Sequence, residues 1–268
     1  MRTFKKQHIL FLALGAYFVA NAIIAEFIGV KIFSLEKTLG IPPLDLTIFN
    51  QPNLSLNLTV GVLLWPLEFV LTDVINEYFG KKGVKFLSYL AVVLILYAFV
   101  VVFWGMKLDP ADFWPQSHIN PNWPVERQEQ ELALVGNYNA AYRLVFGQGL
   151  WIIIGSVVAF LLGQVVDVFI FHKIKTWTGR GMVWLRATGS TLVSQLLDSF
   201  VVLFIAFYIG ADWSLTLVLA IGVVNYIYKG SMAILLTPLI YAMHYVIDTF
   251  LGPELADKMK REAQNSSA

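Results

Sequence analysis

FLSYLAVVLILYAFVVVFWGM, from Phe86 to Met106, runs for 21 residues without one charged side chain. A helix rises about 1.5 Å per residue, so roughly 20 apolar residues cross a hydrocarbon layer of about 30 Å. In lipid every backbone N–H and C=O must find its partner within the segment, so such a run is read as a helix. Working outward, five further apolar blocks appear: His8 to Phe33, Asn57 to Phe79, Gln148 to Phe171, Leu185 to Ile209 and Leu215 to Val246. The expected fold is therefore an all-α membrane protein with six transmembrane helices. The chain divides into a transmembrane domain over 1–252 and a polar cytoplasmic tail over 253–268. Composition agrees. The 268 residues are 57% hydrophobic and 14% charged, against about 45–50% apolar and 25% charged in soluble domains.

The lysines and arginines between blocks fix the orientation. Arg2, Lys5 and Lys6 precede the first block, Lys81, Lys82 and Lys85 follow the second, Lys173, Lys175, Arg180 and Arg186 lie between the fourth and fifth, and Lys258, Lys260 and Arg261 close the chain. The alternate connections hold Lys37, then Lys107, Arg127 and Arg143, then none. Only six crossings put every basic-rich segment on one side, so both termini are expected in the cytoplasm. A cleaved leader ending near Ala20-Asn21-Ala22 is the competing reading of the start, but the apolar run continues through Ile32, which suits a retained span. The connection from Lys107 to Gly147 is long and rich in proline and tryptophan; a cover over an outward-facing cavity and an ordinary solvated loop both fit it.

Ionisable side chains near the bilayer centre cost about 2.5–3.5 kcal/mol on insertion scales, so those present need compensation. Asn21 and Glu26 lie in the first block, and Glu68, Asp73, Asn76 and Glu77 in the second. Positions 73, 76 and 77 share one helix face. Gln164 and Asp167 in the fourth block and Gln195 and Asp198 in the fifth repeat one spacing, GlnXXAsp, on helices of opposite direction. Arg186, Ser190, Thr191 and Ser194 precede the latter pair; Asn225 and Lys229 stand four apart in the sixth. By depth, Asn21, Glu68, Gln195, Asp198, Asn225 and Lys229 form one central layer, with Asp73, Glu77, Gln164 and Asp167 nearer the cytoplasm. Each has a plainer reading. Lys229 neutralises Glu68 or Asp198; Ser190, Ser194 and Gln164 serve as interhelical packing glue; Glu77 and Lys81 snorkel at the interface.

Enzymatic chemistry finds little support. Cysteine is absent, and His8, His118, His172 and His244 lack metal-ligand spacing. No phosphate loop, dinucleotide fingerprint or serine elbow occurs, and the net charge of +1 offers no bulk attraction for nucleic acid. No cofactor is implied. An intramembrane enzyme acting on lipid through Asp73 or Asp198 lacks a catalytic pairing in sequence. A midplane polar pocket with aromatic walls fits a small-molecule carrier better.

Several stretches resemble one family. PLEFVLTDVINEYFGKKG (Pro66 to Gly83) is similar to the signature of the queuosine precursor transporter family, also called the putative vitamin uptake transporter family. ANAIIAEFIGVKIF (Ala20 to Phe33), GQVVDVFIFHKIK (Gly163 to Lys175), WLRATGSTLVSQLLDSF (Trp184 to Phe200) and YKGSMAILLTPLIY (Tyr228 to Tyr241) extend the resemblance through the spans in order. It implies a six-helix carrier similar to the substrate-binding subunits of energy-coupling-factor transporters. It also implies import of 7-cyano-7-deazaguanine and 7-aminomethyl-7-deazaguanine for tRNA queuosine salvage. Uptake of a vitamin or another purine with a separate energising module is the alternative, and homo-oligomerisation is left open. For a deazaguanine, Asp198 or Glu77 could accept the adjacent ring N–H and amino group, and Gln195, Asn21 or Asn225 could donate to the ring carbonyl. Phe200, Tyr78 or Tyr226 could stack on it, and Lys229 could keep a carboxylate ionised.

Overall fold

A computed structural model describes residues 5–147, 149–178 and 182–265. The helices are α1 (Lys6–Ile28), α2 (Leu35–Leu39), α3 (Trp65–Gly105), α4 (Val125–Val135), α5 (Tyr138–Phe146), α6 (Leu150–Thr178), α7 (Val183–Leu203), α8 (Leu215–Leu235), α9 (Thr237–Leu251) and α10 (Pro253–Asn265). Four short strands, β1 (Ile32–Ser34), β2 (Leu46–Ile48), β3 (Gln51–Leu54) and β4 (Asn57–Thr59), pair antiparallel as β1 with β4 and β2 with β3. Among the described residues five helical stretches are long and apolar enough to cross a membrane: Lys6–Ile28, Trp65–Gly105, Tyr138–Thr178, Val183–Ile209 and Leu215–Leu235. This is a multi-pass, predominantly helical membrane protein.

The second and third apolar blocks fall together in the 41 residues of α3. That helix is interrupted at Gly80, with φ 66° and ψ −172°, a region only glycine enters readily. The halves over 65–79 and 81–105 are called α3a and α3b. Their contacts with α1 run in opposite senses. On α3a, Asn21 meets Glu68 and Phe11 meets Phe79; on α3b, Phe11 meets Phe86 and Gly15 meets Leu87. The chain therefore turns back on itself at Gly80. Residues Val84, Leu87, Ala91 and Ile95 form the buried stripe of α3b, while Phe86, Tyr89, Val93 and Leu96 are exposed, the pattern of a helix with one face on lipid.

The helical part of the second block begins at Trp65, not at Asn57. Residues 57–59 pair with β1, and a tight 3-10 turn, Val60–Leu63, leads in. The sixth block is broken too: α8 stops at Leu235 and α9 restarts at Thr237 with Pro238 in its first turn. Proline has no N–H and its ring meets the carbonyl four residues back, so a helix cannot pass it undisturbed. Nonetheless α8 and α9 run the same way: α8 is antiparallel to α7, with Gly230 against Leu192 and Gly222 against Phe200, α7 is antiparallel to α3a, with Arg186 on Glu77 and Thr191 on Asp73, and α9 is parallel to α3a, since Ile240 packs with Val70 while the Tyr78 hydroxyl donates to Asp248 at 2.7 Å. The tail forms α10, with Ala256, Met259 and Ala263 buried and Lys260 bonded to Asp248 at 2.7 Å.

The chain separates into two compact units, residues 1–95 with 150–268, and residues 96–149. The second unit holds α4 and α5, where Trp114 makes edge contacts with His118, Tyr138 and Tyr142. All the polar residues singled out from the sequence lie in the first.

Candidate functional site

A continuous polar seam follows the contact of α3a with α6 and α7. At one end Glu77, 4% exposed, accepts from Lys175 Nζ at 2.9 Å and from Arg186 at 2.8 Å. Lys175, assigned from sequence to the connection between the fourth and fifth blocks, is instead buried within α6, and Arg186, at the start of the fifth block, is buried within α7. A turn further on, Asn76 meets the His172 ring at 2.8 Å. Next come Asp73, which accepts from the Thr191 hydroxyl at 3.4 Å, and Asp167, which accepts from Ser194 at 3.1 Å. Gln164 exchanges hydrogen bonds with Thr72 at 3.0 and 3.1 Å. The Ser190 hydroxyl donates to the Ala187 carbonyl.

The outer end of the seam carries Asn21, which donates to Glu68 at 2.8 Å and to the Leu64 carbonyl at 3.1 Å. On α7, Asp198 pairs with Lys229 of α8. The repeated GlnXXAsp spacing brings its two copies face to face. Ser194, beside Gln195, bonds Asp167, and a Cβ at Gly163 would lie 3.9 Å from the Cβ of Asp198. Glu26 is buried, with Ser156 and Asp198 within electrostatic reach. Thus the central layer expected from depth divides into distinct pairs, Asn21 with Glu68 and Asp198 with Lys229, and of the two partners offered for Lys229 it takes Asp198. Asn225 is half-buried and no hydrogen bond reaches its side chain among the described residues.

Unclaimed polar capacity remains along this seam. Glu68 Oε1, Asp73 Oδ1, Asp167 Oδ2, Gln195 Oε1, Asn76 Nδ2 and Ser199 Oγ are buried with no hydrogen-bond partner among the described residues. Each such atom costs about 1–3 kcal/mol, so a run of them calls for a reason. Of the aromatic candidates, Tyr78 is held by Asp248 and stacks near His244, and Phe200 packs on Gly222 of α8. Tyr226 is half-buried. Two cavities touch the seam. One of about 530 Å³ lies between α1, α3a and α9, and is lined by Tyr17, Asn21, Val70 and Met243. The other, of about 410 Å³, lies between α3b and α6, and is lined by Lys81, Lys85, Ser88, Gln164 and Phe169.

Sequence reading missed Thr72, His172, Lys175 and Ser199 as members of the seam. The signal for Lys175 was present: Gln164, Asp167, Phe171 and Lys175 follow one another three or four apart, which continues a single buried helix face past the apparent block end. Glu36 was missed for a different reason, since it lies in the connection after α1. It is 1% exposed, accepting from the Leu56 N–H at 2.6 Å and from Ser34 at 3.2 Å. Burial pushes its carboxyl up, but the Leu56 N–H and Ser34 hydroxyl outweigh that and hold it below the usual carboxylate range.

Helices long and apolar enough to cross a membrane, with ion pairs and amide groups buried between them, define an integral membrane protein with a polar interior. Residues 59–243 match the family model described as "Putative vitamin uptake transporter". The chain belongs to that family. Two relatives are each named "Probable queuosine precursor transporter". The one from Bacillus subtilis (strain 168) is 26% identical over 197 residues, covering 72% of this chain and 74% of the relative. The one from Haemophilus influenzae (strain ATCC 51907 / DSM 11121 / KW20 / Rd) is 27% identical over 206 residues, covering 72% and 71%. No solved structure matches the chain.

Proposed function

We propose that this transporter imports 7-deazaguanine precursors of queuosine, 7-cyano-7-deazaguanine and 7-aminomethyl-7-deazaguanine, across the cell inner membrane. The substrate sits at the outer end of the seam. Six crossings carry it, with both termini cytoplasmic; the reversal at Gly80 supports counting α3a and α3b separately, and the shared direction of α8 and α9 supports counting them as one broken span.

The observation that carries this reading is one face of α7. Gln195, Asp198 and Ser199 lie at spacings of three and four, and the Gln195 carbonyl and Ser199 hydroxyl are buried and unclaimed beside a carboxylate that Lys229 holds. Asp198 is paired with Lys229, and a carboxylate in such a pair offers only acceptor oxygens. Acceptors outnumber donors among the unclaimed atoms, so the matching ligand is rich in N–H groups. The guanine edge, with its ring N–H beside an amino group, is such a ligand. Asn21 with Glu68, and Asn225, are further contacts from α1, α3a and α8.

Two measurements test this reading. A cell unable to make the precursors, given this protein and external 7-cyano-7-deazaguanine, regains queuosine in its tRNA; unchanged tRNA disposes of the substrate. In purified protein Asp198→Asn or Gln195→Ala weakens binding about 10- to 100-fold, as loss of a charge-assisted or buried hydrogen bond requires, while membrane insertion persists. Wild-type affinity in both variants removes them from the site.

A further inference from the structure

Asp73 of α3a and Asp167 of α6 are 1% and 0% exposed. Hydroxyls of α7 lie about both: Thr191 donates to Asp73 Oδ2 at 3.4 Å and also faces Asp167, Ser194 donates to Asp167 Oδ1 at 3.1 Å, and Ser190 faces Asp167. Asp73 Oδ1 and Asp167 Oδ2 have no partner among the described residues. Nor does any lysine, arginine or histidine nitrogen there pair with either carboxyl. The charged and titratable groups nearby are Glu77 on α3a, Arg186 on α7, and Lys175 and His172 on α6. Both cations pair with Glu77, Arg186 also acts on Asp73 from a longer range, and the His172 ring meets Asn76.

Two ionised carboxylates facing one hydroxyl, that of Thr191, in a dry interior with no cation paired to either are not tenable, because a buried charge without an ion-pair partner costs far more than a hydrogen bond returns. Adjacent carboxyls in such a setting hold one proton between them. We propose that Asp73 and Asp167 share a single proton, and that this proton is the coupling ion of uptake. A metal ion fits less well. Among the described residues no three histidine, aspartate or glutamate side chains are grouped to hold one.

This inference rests on the transporter reading and extends it. The pair lies between the Glu77 ion network and the Gln195–Asp198 face, and Ser194, which clamps Asp167, is the neighbour of Gln195. Substrate held by α7 therefore bears on the groups that hold the proton. The proton joins a carboxylate oxygen from the outer water and leaves that oxygen for the inner water once per cycle. Only an O–H bond forms and breaks.

The test uses full-length protein in proteoliposomes and has two arms. Without substrate, infrared spectra taken across a pH titration show a protonated-carboxyl band in the wild type that Asp73→Asn and Asp167→Asn each lose, and whose frequency shifts in Ser194→Ala. With 7-cyano-7-deazaguanine and an acid exterior, wild-type vesicles concentrate the base, whereas both Asn variants exchange it across the membrane yet concentrate it at least tenfold less. Persistence of the band in both Asn variants overturns the shared proton, as does its absence from the wild type. Concentration by the Asn variants at the wild-type level, or wild-type concentration driven by a sodium gradient alone, overturns the coupling. If the band behaves as expected but the base is not taken up by any vesicle, the substrate assignment fails and the proton pair stands. Should either Asn variant not fold, the Ser194→Ala shift decides the first arm.

Discussion

Glu77 neutralises two cations at once, Lys175 from α6 and Arg186 from α7, in a setting where none of the three reaches water. A buried pair is weak proof of net stabilisation, yet deleting one member strands the other charge at about 3–5 kcal/mol. Glu77→Ala strands two. It should lower the thermal unfolding temperature in detergent more than Arg186→Met, which leaves Glu77 its lysine; equal melting of the two variants would contradict that shared neutralisation. At the residue scale much of the seam is legible in the sequence. An ionisable residue in an apolar block announces itself by its cost, so Asp73, Glu77, Gln164, Arg186, Gln195, Asp198 and Lys229 all stand out. Their partners do not, because pairing depends on rotation and tilt of neighbouring helices, which spacing along one helix does not encode. Lys175 reads as a loop charge because α6 runs beyond the apolar block that betrays it.

At the scale of elements, glycine and proline decide where helices stop being straight. Gly80 adopts φ 66° with ψ −172° between two helical halves. Alanine there meets a backbone region costing about 1–3 kcal/mol. Gly80→Ala should destabilise the fold by that amount and so lower its yield and melting temperature, whereas Gly105→Ala, in regular helix, should be close to neutral; a silent Gly80→Ala would show that the turn is not strained. Apolar blocks Asn57 to Phe79 and Phe86 to Met106 give no sign that one residue joins their helices, since Lys81, Lys82 and Lys85 read as an ordinary connection. Pro238 is visible within the sixth block, yet an apolar run masks a break when hydropathy alone is followed.

The connection after α1 shows a different balance. Glu36 ties α2 to the Leu56 amide just before β4. Its carboxyl is held below the ordinary range. A depressed folded value means that the ionised group adds stability above the unfolded pKa, about 4.3, and that this contribution fades as pH falls through the folded value. Amide exchange at Leu56 should therefore be slow at pH 6 and accelerate in acid below pH of about 4, beyond the trend of neighbouring amides. In Glu36→Gln the acid acceleration should vanish; its persistence would assign the effect to another group.

For the whole molecule, the helix ends sort themselves before any membrane is considered. Lys6 at the start of α1 donates to the Phe250 carbonyl at 2.6 Å, and Asp248 near the end of α9 takes both Tyr78 from α3a and Lys260 from α10 at 2.7 Å. The beginning of α1, the turn at Gly80, the end of α9 and the tail thus gather at one end of their unit, and Lys81, Lys82 and Lys258 add positive charge there. Basic excess favours the cytoplasm, which is why both termini are placed inside. Since the chain has no cysteine, single introduced thiols report sidedness without background. Asp45→Cys and Asp212→Cys in intact cells should react with a membrane-impermeant maleimide, while Lys82→Cys and Lys260→Cys should react only after the membrane is opened. If α3 crossed once as a single rod, every later segment would change sides. Position 212 would then be shielded and position 260 labelled from outside, and the six-crossing count would fall with the orientation.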